Sequence, residues 1–227
     1  MSTNGDRNSA LGTKGRVLHR AAAYDALAWL FMFGREGAFR DRLLDLARLE
    51  SGESVLDVGC GTGTLAIAAK RRVGRAGSVY GVDASPEMIT RARTKGRRAN
   101  ANVAFAEGVV ETLPYPDAHF DVVLSTLMLH HLPRSARRDL AREVRRVLKA
   151  GGRVLVVDFG SAPENRKSLL DRIHRHGHVD LRDIIDVLTD AGMHVIESGA
   201  VRVRNLSYAL ATAPSQTEPS MTTELSQ

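Results

Sequence analysis

The chain is predicted to fold as an α/β domain with a mostly parallel sheet, helices on both faces and a reversed strand near the carboxyl end. Three observations predict it. Short apolar runs alternate with amphipathic stretches from Val55 to Asp158, the rhythm of repeated strand–helix units. The first run, Val55-Leu56-Asp57-Val58, breaks into Gly59-Cys60-Gly61-Thr62-Gly63, a turn that carries a strand straight into a helix. Two final runs, Met193 to Ser198 and Asn205 to Thr212, read as an antiparallel hairpin.

The elements follow in order. Residues 1–14 are polar and read as a disordered tail, as do residues 214–227, which leaves a single domain over 15–213. Val17 to Phe33 carries a helical pattern that Gly34 and Gly37 interrupt, and Phe39 to Leu49 resumes it with Leu43, Leu44, Leu46 and Leu49. Behind the glycine turn, Thr64 to Arg72 is helical, with Leu65, Ala68 and Ala69 inward. Val79-Tyr80-Gly81-Val82 is a second strand that ends in Asp83. Ser85 is a good N-cap and Pro86 suits the first helical position of a helix reaching about Ala99. Val103 to Ala106 and Phe120 to Ser125 are strands three and four. Arg134 to Lys149 is an amphipathic helix with Leu140, Val144, Val147 and Leu148 on one face, ended by Gly151. Arg153 to Asp158 is strand five, and Asp183 to Ala191 is a helix that stops at Gly192.

Composition narrows the function classes. The chain has 227 residues, 43% of them apolar, as expected of one globular domain with a substantial core. Its one cysteine, Cys60, excludes a disulfide framework and a cysteine metal cluster and fits a reducing, cytoplasmic setting. The first twenty residues lack the apolar core of a secretory signal, and no apolar run reaches membrane-spanning length. The net charge of +6 invites anionic surroundings such as nucleic acid, a membrane face or acidic substrates. Its spread over several helices equally describes solvated helix faces.

The glycine turn and the acid that follows it point to a nucleotide. Free N–H groups at a helix start make a partly positive rim. Asp83 lies twenty residues beyond Gly63, the usual distance for a carboxylate that accepts from ribose hydroxyls. Gly61-x-Gly63-x-x-Ala66 fits the dinucleotide fingerprint, which leaves NAD open. Asp57, two residues before the first glycine, would repel a phosphate and suit a cation. S-adenosylmethionine carries an amino group and a sulfonium and no phosphate. A P-loop is excluded, because no Gly-Lys-Ser/Thr follows.

These residues together resemble the class I S-adenosylmethionine-dependent methyltransferases. Asp57-Val58-Gly59-Cys60-Gly61-Thr62-Gly63 looks like their first motif and Asp83-Ala84-Ser85-Pro86-Glu87-Met88 like their second. Leu113-Pro114-Tyr115-Pro116-Asp117 with Phe120 to Ser125 resembles the fourth-strand region. Leu129-His130-His131-Leu132 and Leu148-Lys149-Ala150-Gly151-Gly152-Arg153 complete the series. The likeness spans roughly Tyr24 to Thr212 and is nearest to the small-molecule branch that includes ubiquinone/menaquinone-biosynthesis C-methyltransferases.

The resemblance implies a Rossmann-like three-layer sandwich with residues 15–50 as a helical cap. It also implies S-adenosylmethionine as cofactor and in-line methyl transfer to a small apolar acceptor such as a quinol, a phenol or a lipid. Carried over by motif, Asp57, Gly59, Gly61, Thr62 and Gly63 hold the amino-acid end and Asp83 the ribose. Met88, Val109 and Val110 take the adenine, Ala84 belongs to the cofactor site, Ser125 lies near the amino-acid moiety or the methyl, and His130 is the candidate base. His131 reads as a packing or solvent-facing residue.

One position departs from the family pattern. Val109 stands where Asp or Asn normally accepts from the adenine amino group, a loss of about 0.5–1.5 kcal/mol, or roughly tenfold in affinity. That departure keeps a non-catalytic cofactor-binding regulator as one alternative; an RNA-modifying enzyme is another. Nucleic acid is not the expected partner, since Ser125-Thr126-Leu127-Met128 replaces the Asn/Asp-Pro-Pro-aromatic signature of exocyclic-amine methylators. Trp29, Phe31, Met32 and Phe33 fit an acceptor pocket, a bilayer surface or plain core packing, so peripheral membrane contact stays open, as does a homodimer. His174, His176 and His178 alternate in a basic stretch, but with Asp180 as their one acidic neighbour no metal site is expected.

Overall fold

A computed structural model describes residues 36–160, 179–201 and 205–215. In chain order these form α1 (Glu36–Leu46), β1 (Ser54–Val58), α2 (Thr64–Val73), β2 (Ser78–Asp83), α3 (Pro86–Arg98), β3 (Ala104–Glu107) and β4 (Phe120–Thr126). A 3₁₀ turn (Leu129–His131), α4 (Arg134–Val147), β5 (Leu148–Phe159), α5 (Leu181–Asp190), β6 (His194–Ala200) and β7 (Leu206–Thr212) follow. The stretch Val17 to Phe33, with Trp29, Phe31, Met32 and Phe33, lies outside the described residues, as do His174, His176 and His178.

The strands form one sheet in the order β3-β2-β1-β4-β5-β7-β6. Pairs β1–β2, β1–β4, β2–β3 and β4–β5 are parallel, whereas β7 is antiparallel to both β5 and β6. The expected reversed strand is therefore β7, inserted between two strands that run with the rest. β6 carries a register shift between Val195 and Glu197 at the sheet's edge.

The alternation of side chains along the strands explains the three layers. Val55, Val122, Leu124, Leu155 and Val157 face α1, α2 and α3; Leu56, Val58, Val123, Val154 and Val156 face α4 and α5. Both sets are buried, so β1 and β4 read as continuous apolar runs, as central parallel strands do. Each such fully buried side chain contributes about 1.5–3 kcal/mol. From β1 the chain builds outward through β2 to β3, then returns to the other side of β1 to build β4 and β5. Open α/β sheets bind their ligands outside the carboxyl ends of the strands at such a reversal, here β1 and β4.

Several boundaries differ from the sequence reading, each for a local reason. The helix expected to resume at Phe39 already starts at Glu36, with Gly37 in its first turn and open space where a Cβ would stand. α4 ends at Val147 rather than Lys149, and Gly151 lies within β5 with φ +72° instead of terminating the helix. The carbonyls of Arg146 and Val147 are taken by the N–H groups of Ala118 and His119 at 2.9 and 2.8 Å, so this end needs no glycine cap. α5 begins two residues early because the Asp180 side chain accepts from Arg182 N at 3.0 Å. Ser85 caps α3 as expected, accepting from Met88 N at 3.3 Å.

No helix crosses from β3 to β4. Residues 108–119 instead cover the sheet with Val110 and Leu113. α4 pins this segment down. Glu143 Oε2 accepts from Leu113 N at 2.7 Å, and Arg146 donates to the carbonyls of Leu113 and Tyr115, to Glu143 and to Asp117.

Candidate active site

The glycine turn is shaped by its own neighbours. Gly59, Gly61 and Gly63 have φ of +71°, +52° and +77°, a region costly for residues with a Cβ. A Cβ on Gly59 would stand 2.5 Å from Met128 Cγ, and one on Gly63 would stand 2.6 Å from Phe105 Cζ. Two of the three glycines are thus demanded by the protein's own packing as well as by the turn. Gly59 N and Cys60 N both donate to Val82 O, at 2.9 and 3.0 Å, and tie the turn to β2.

Two carboxylates frame this turn. Asp83 Oδ2 accepts from Gly61 N and Oδ1 from Ser85 N, each at 2.9 Å. Each oxygen keeps a second lone pair for another donor. Burial pushes the Asp83 carboxyl up, against the two N–H groups that hold it down. Asp57 is 1% exposed, and its Oδ2 has no hydrogen-bond partner. Burial first and the Asp83 charge second raise its pKa to about 7, opposed by the Ala66 N–H. Burial and the same two charges push the Cys60 thiol well up. Among the described residues neither Asp57 nor Asp83 forms an ion pair.

The remaining sequence-predicted residues fall into three groups. Thr62, Ala84 and Met88 accompany the turn and the start of α3; Thr62 is buried and its Oγ1 lies 2.7 Å from Lys95 Nζ. Val109 and Val110 follow β3. Val109 O accepts from Thr112 N at 3.3 Å, and the Val110 side chain packs inward with Val82 and Leu113. Ser125, on β4 opposite Val58 and Val156, is buried with an unpartnered Oγ. It borders a cavity of about 20 Å³ with Leu129, Arg137 and Ile184, beneath α4 and α5.

His130 sits beyond β4 in the turn that also carries Met128, the residue packed on Gly59. It does not stand alone. Its Nδ1 lies 2.7 Å from Asp158 Oδ1, and its backbone N donates to Asp158 Oδ2 at 3.1 Å. Asp158 is fully buried at the end of β5 and also accepts from Phe159 N at 2.7 Å. Sequence reasoning passed over Asp158 as the last residue of a strand. The signal was present, for it is a carboxylate closing an apolar run, as Asp83 is.

A family model described as "Methyltransferase domain" matches residues 55–152. The chain is 35% identical over 161 residues to the ubiquinone/menaquinone biosynthesis C-methyltransferase UbiE of Azotobacter vinelandii, covering 70% of this chain and 62% of that protein. It is 34% identical over 154 residues to the demethylmenaquinone methyltransferase of Thermus thermophilus, covering 68% of this chain and 69% of that protein. The chain thus spans about three fifths of the Azotobacter relative's length. Among solved structures, a SAM-dependent methyltransferase from Aquifex aeolicus matches with a TM-score of 0.70 at 22% identity, covering 86% of this chain and 99% of that one. The [4+2]-cyclase SpnF matches with 0.66 at 20% identity, covering 90% and 88%, which speaks for the shared fold alone.

Fold, turn and relatives together define a Rossmann-like methyltransferase domain. The chain belongs to the class I S-adenosylmethionine-dependent methyltransferases. S-adenosylmethionine is the cofactor of that family, and the site suits it: the unpartnered buried Asp57 oxygen wants a cation nearby, and Asp83 keeps lone pairs for hydroxyl donors. A dinucleotide would instead set a diphosphate at the glycine turn, close to Asp57, which speaks against NAD.

Proposed function

We propose that this chain transfers a methyl group from S-adenosylmethionine to a small apolar acceptor of the quinol or phenol class. The observation that carries the reading is the pairing of Asp57 and Asp83 around Gly59, Gly61 and Gly63 at the sheet's switch point. The acceptor class rests on the two relatives named above, whose own names specify ubiquinone, menaquinone and demethylmenaquinone chemistry.

In this reading Asp57, Thr62 and the glycine turn hold the cofactor's amino-acid end. Asp83 accepts from the ribose hydroxyls through its two remaining lone pairs. Ala84, Met88, Val109 and Val110 flank the adenine, with main-chain groups near Val109 doing what Asp or Asn does elsewhere in the family. Ser125 lies near the amino-acid moiety or the methyl. The bound cofactor supplies an electrophilic methyl group. The chain's task is therefore to align the acceptor and keep water out, for which well-oriented reactants contribute about 7–11 kcal/mol. An acceptor of lipid type and the +6 charge also favour contact with a membrane surface, which co-sedimentation with anionic vesicles would test.

Calorimetric titration with S-adenosylmethionine and with its demethylated product, against NAD as control, tests the reading. Micromolar binding of either, none of NAD, and its loss in Asp83→Ala are the expected results. Absence of binding to both would overturn it. Binding without turnover on any quinol, phenol or lipid would favour a regulatory role instead.

A further inference from the structure

We propose that Asp158 is a positioning residue that fixes His130 as a general base, and hence that the acceptor is one that must give up a proton when methylated. The inference rests on the methyl-transfer reading above and deepens it.

The geometry is specific. A carboxylate oxygen can only accept, so the 2.7 Å contact between Asp158 Oδ1 and His130 Nδ1 puts the ring hydrogen on Nδ1. In the neutral ring Nε2 then carries the lone pair. Asp158 holds the same residue twice, since Oδ2 takes the His130 backbone N–H at 3.1 Å. The carboxylate is itself fixed by Phe159 N. Arg137 Nε donates to Leu129 O at 3.0 Å and anchors the turn from the other side. A buried carboxylate bonded to one imidazole nitrogen is the arrangement that orients a histidine base in hydrolases.

The surroundings suit an aromatic acceptor. The His130 side chain is 14% exposed, so an edge of the ring can be reached. His131 lies beside it with ring centroids 3.9 Å apart, and Phe159 meets it edge-on at 5.2 Å. His130 lies two residues beyond Met128, whose side chain packs on Gly59 of the glycine turn.

The proton step balances without any further reagent. The acceptor's O–H bond breaks and its electron pair stays on oxygen, or moves through the ring to the carbon that attacks, whose own hydrogen then passes as a proton to that oxygen and restores the aromatic ring. The proton bonds to Nε2, and the resulting imidazolium faces the Asp158 carboxylate before releasing the proton to water. An amine already deprotonated, or a thioether, gains nothing from this device; a phenol or quinol does.

The test begins with the histidine tautomer. ¹⁵N spectra of the wild-type chain should show His130 with a protonated Nδ1 and an unprotonated Nε2, and that pattern should be lost in Asp158→Asn. The Nε2–H form in the wild type would overturn the assignment. With a short-chain 1,4-naphthalenediol as acceptor, His130→Gln and Asp158→Asn should lower kcat by about 10²- to 10⁴-fold, the usual range for a general base. KM and calorimetric cofactor affinity should stay unchanged. A fall in kcat of less than about tenfold in His130→Gln would overturn the proposal. Because Asp158 is buried, His130→Gln is the variant least able to disturb the fold. The tautomer needs no cofactor, so failure of cofactor binding would strike the methyl-transfer reading alone.

Discussion

At the scale of residues, Asp57 is the most consequential group. Its folded-state pKa of about 7 lies above its ordinary value of 3.8. Such a carboxyl contributes stability that is fully present below the unfolded value and is lost as pH rises through the folded one. The cofactor-free chain should therefore lose stability, relative to Asp57→Asn, between about pH 4 and pH 7. Thermal unfolding of both proteins across that window checks the sign. Cofactor binding should respond in the opposite sense. If Asp57 holds the ammonium group it must be ionised, so affinity should fall about tenfold per pH unit below 7 and level off above it. Asp57→Asn should bind weakly at every pH, without that slope. Equal slopes in the two proteins would remove Asp57 from the cofactor's amino end. The sequence already marked Asp57 as cation-seeking, from its place before the glycines. It could not show that Oδ2 lacks a partner, because that depends on what surrounds the strand tip in space.

At the scale of elements, legibility followed locality. α3 was readable at its start because Ser85 and Pro86 act within one turn of where they stand. The end of α4 was not, because its last carbonyls find partners about thirty residues earlier in the chain, on Ala118 and His119. The same distance hid the role of Arg146. In sequence it is one arginine among several on a solvated helix; in the fold it grips the segment from Leu113 to Asp117. Arg146→Ala should lower stability by about 1–3 kcal/mol, the range for removing bonds to a charged group that is partly exposed. Hydrogen exchange should quicken at Leu113 and Tyr115 and leave β4 unchanged. Because Val109 and Val110 belong to the same segment, cofactor affinity should fall as well. Loss of stability with intact affinity would argue that the adenine does not rest there. Asp158 shows the same limit, since its partner His130 is 28 residues away and only the β4–β5 pairing brings them together.

At the scale of the molecule, the mostly parallel character of the sheet was legible because parallel strands buried on both faces leave continuous apolar runs. The reversal at β1 and the insertion of β7 between β5 and β6 leave β3 and β6 as the sheet's two outer strands. β3 is short, with four residues. β6 has seven, and without some device it would be a template for pairing between molecules. That device is its irregularity. Opposite the adjacent pair Leu210 and Ala211 the strand supplies Glu197 and Val195, and Ile196 is the supernumerary residue between them. Ile196, 47% exposed, is the large apolar side chain left open to solvent among the described residues. A bulge that kinks the border strand therefore works as a guard against fibre-like stacking, and it does so where the surface is stickiest. Deleting Ile196 would straighten the strand and remove the guard. Light scattering should then show self-association rising with concentration, in a protein whose fold and cofactor site are otherwise intact.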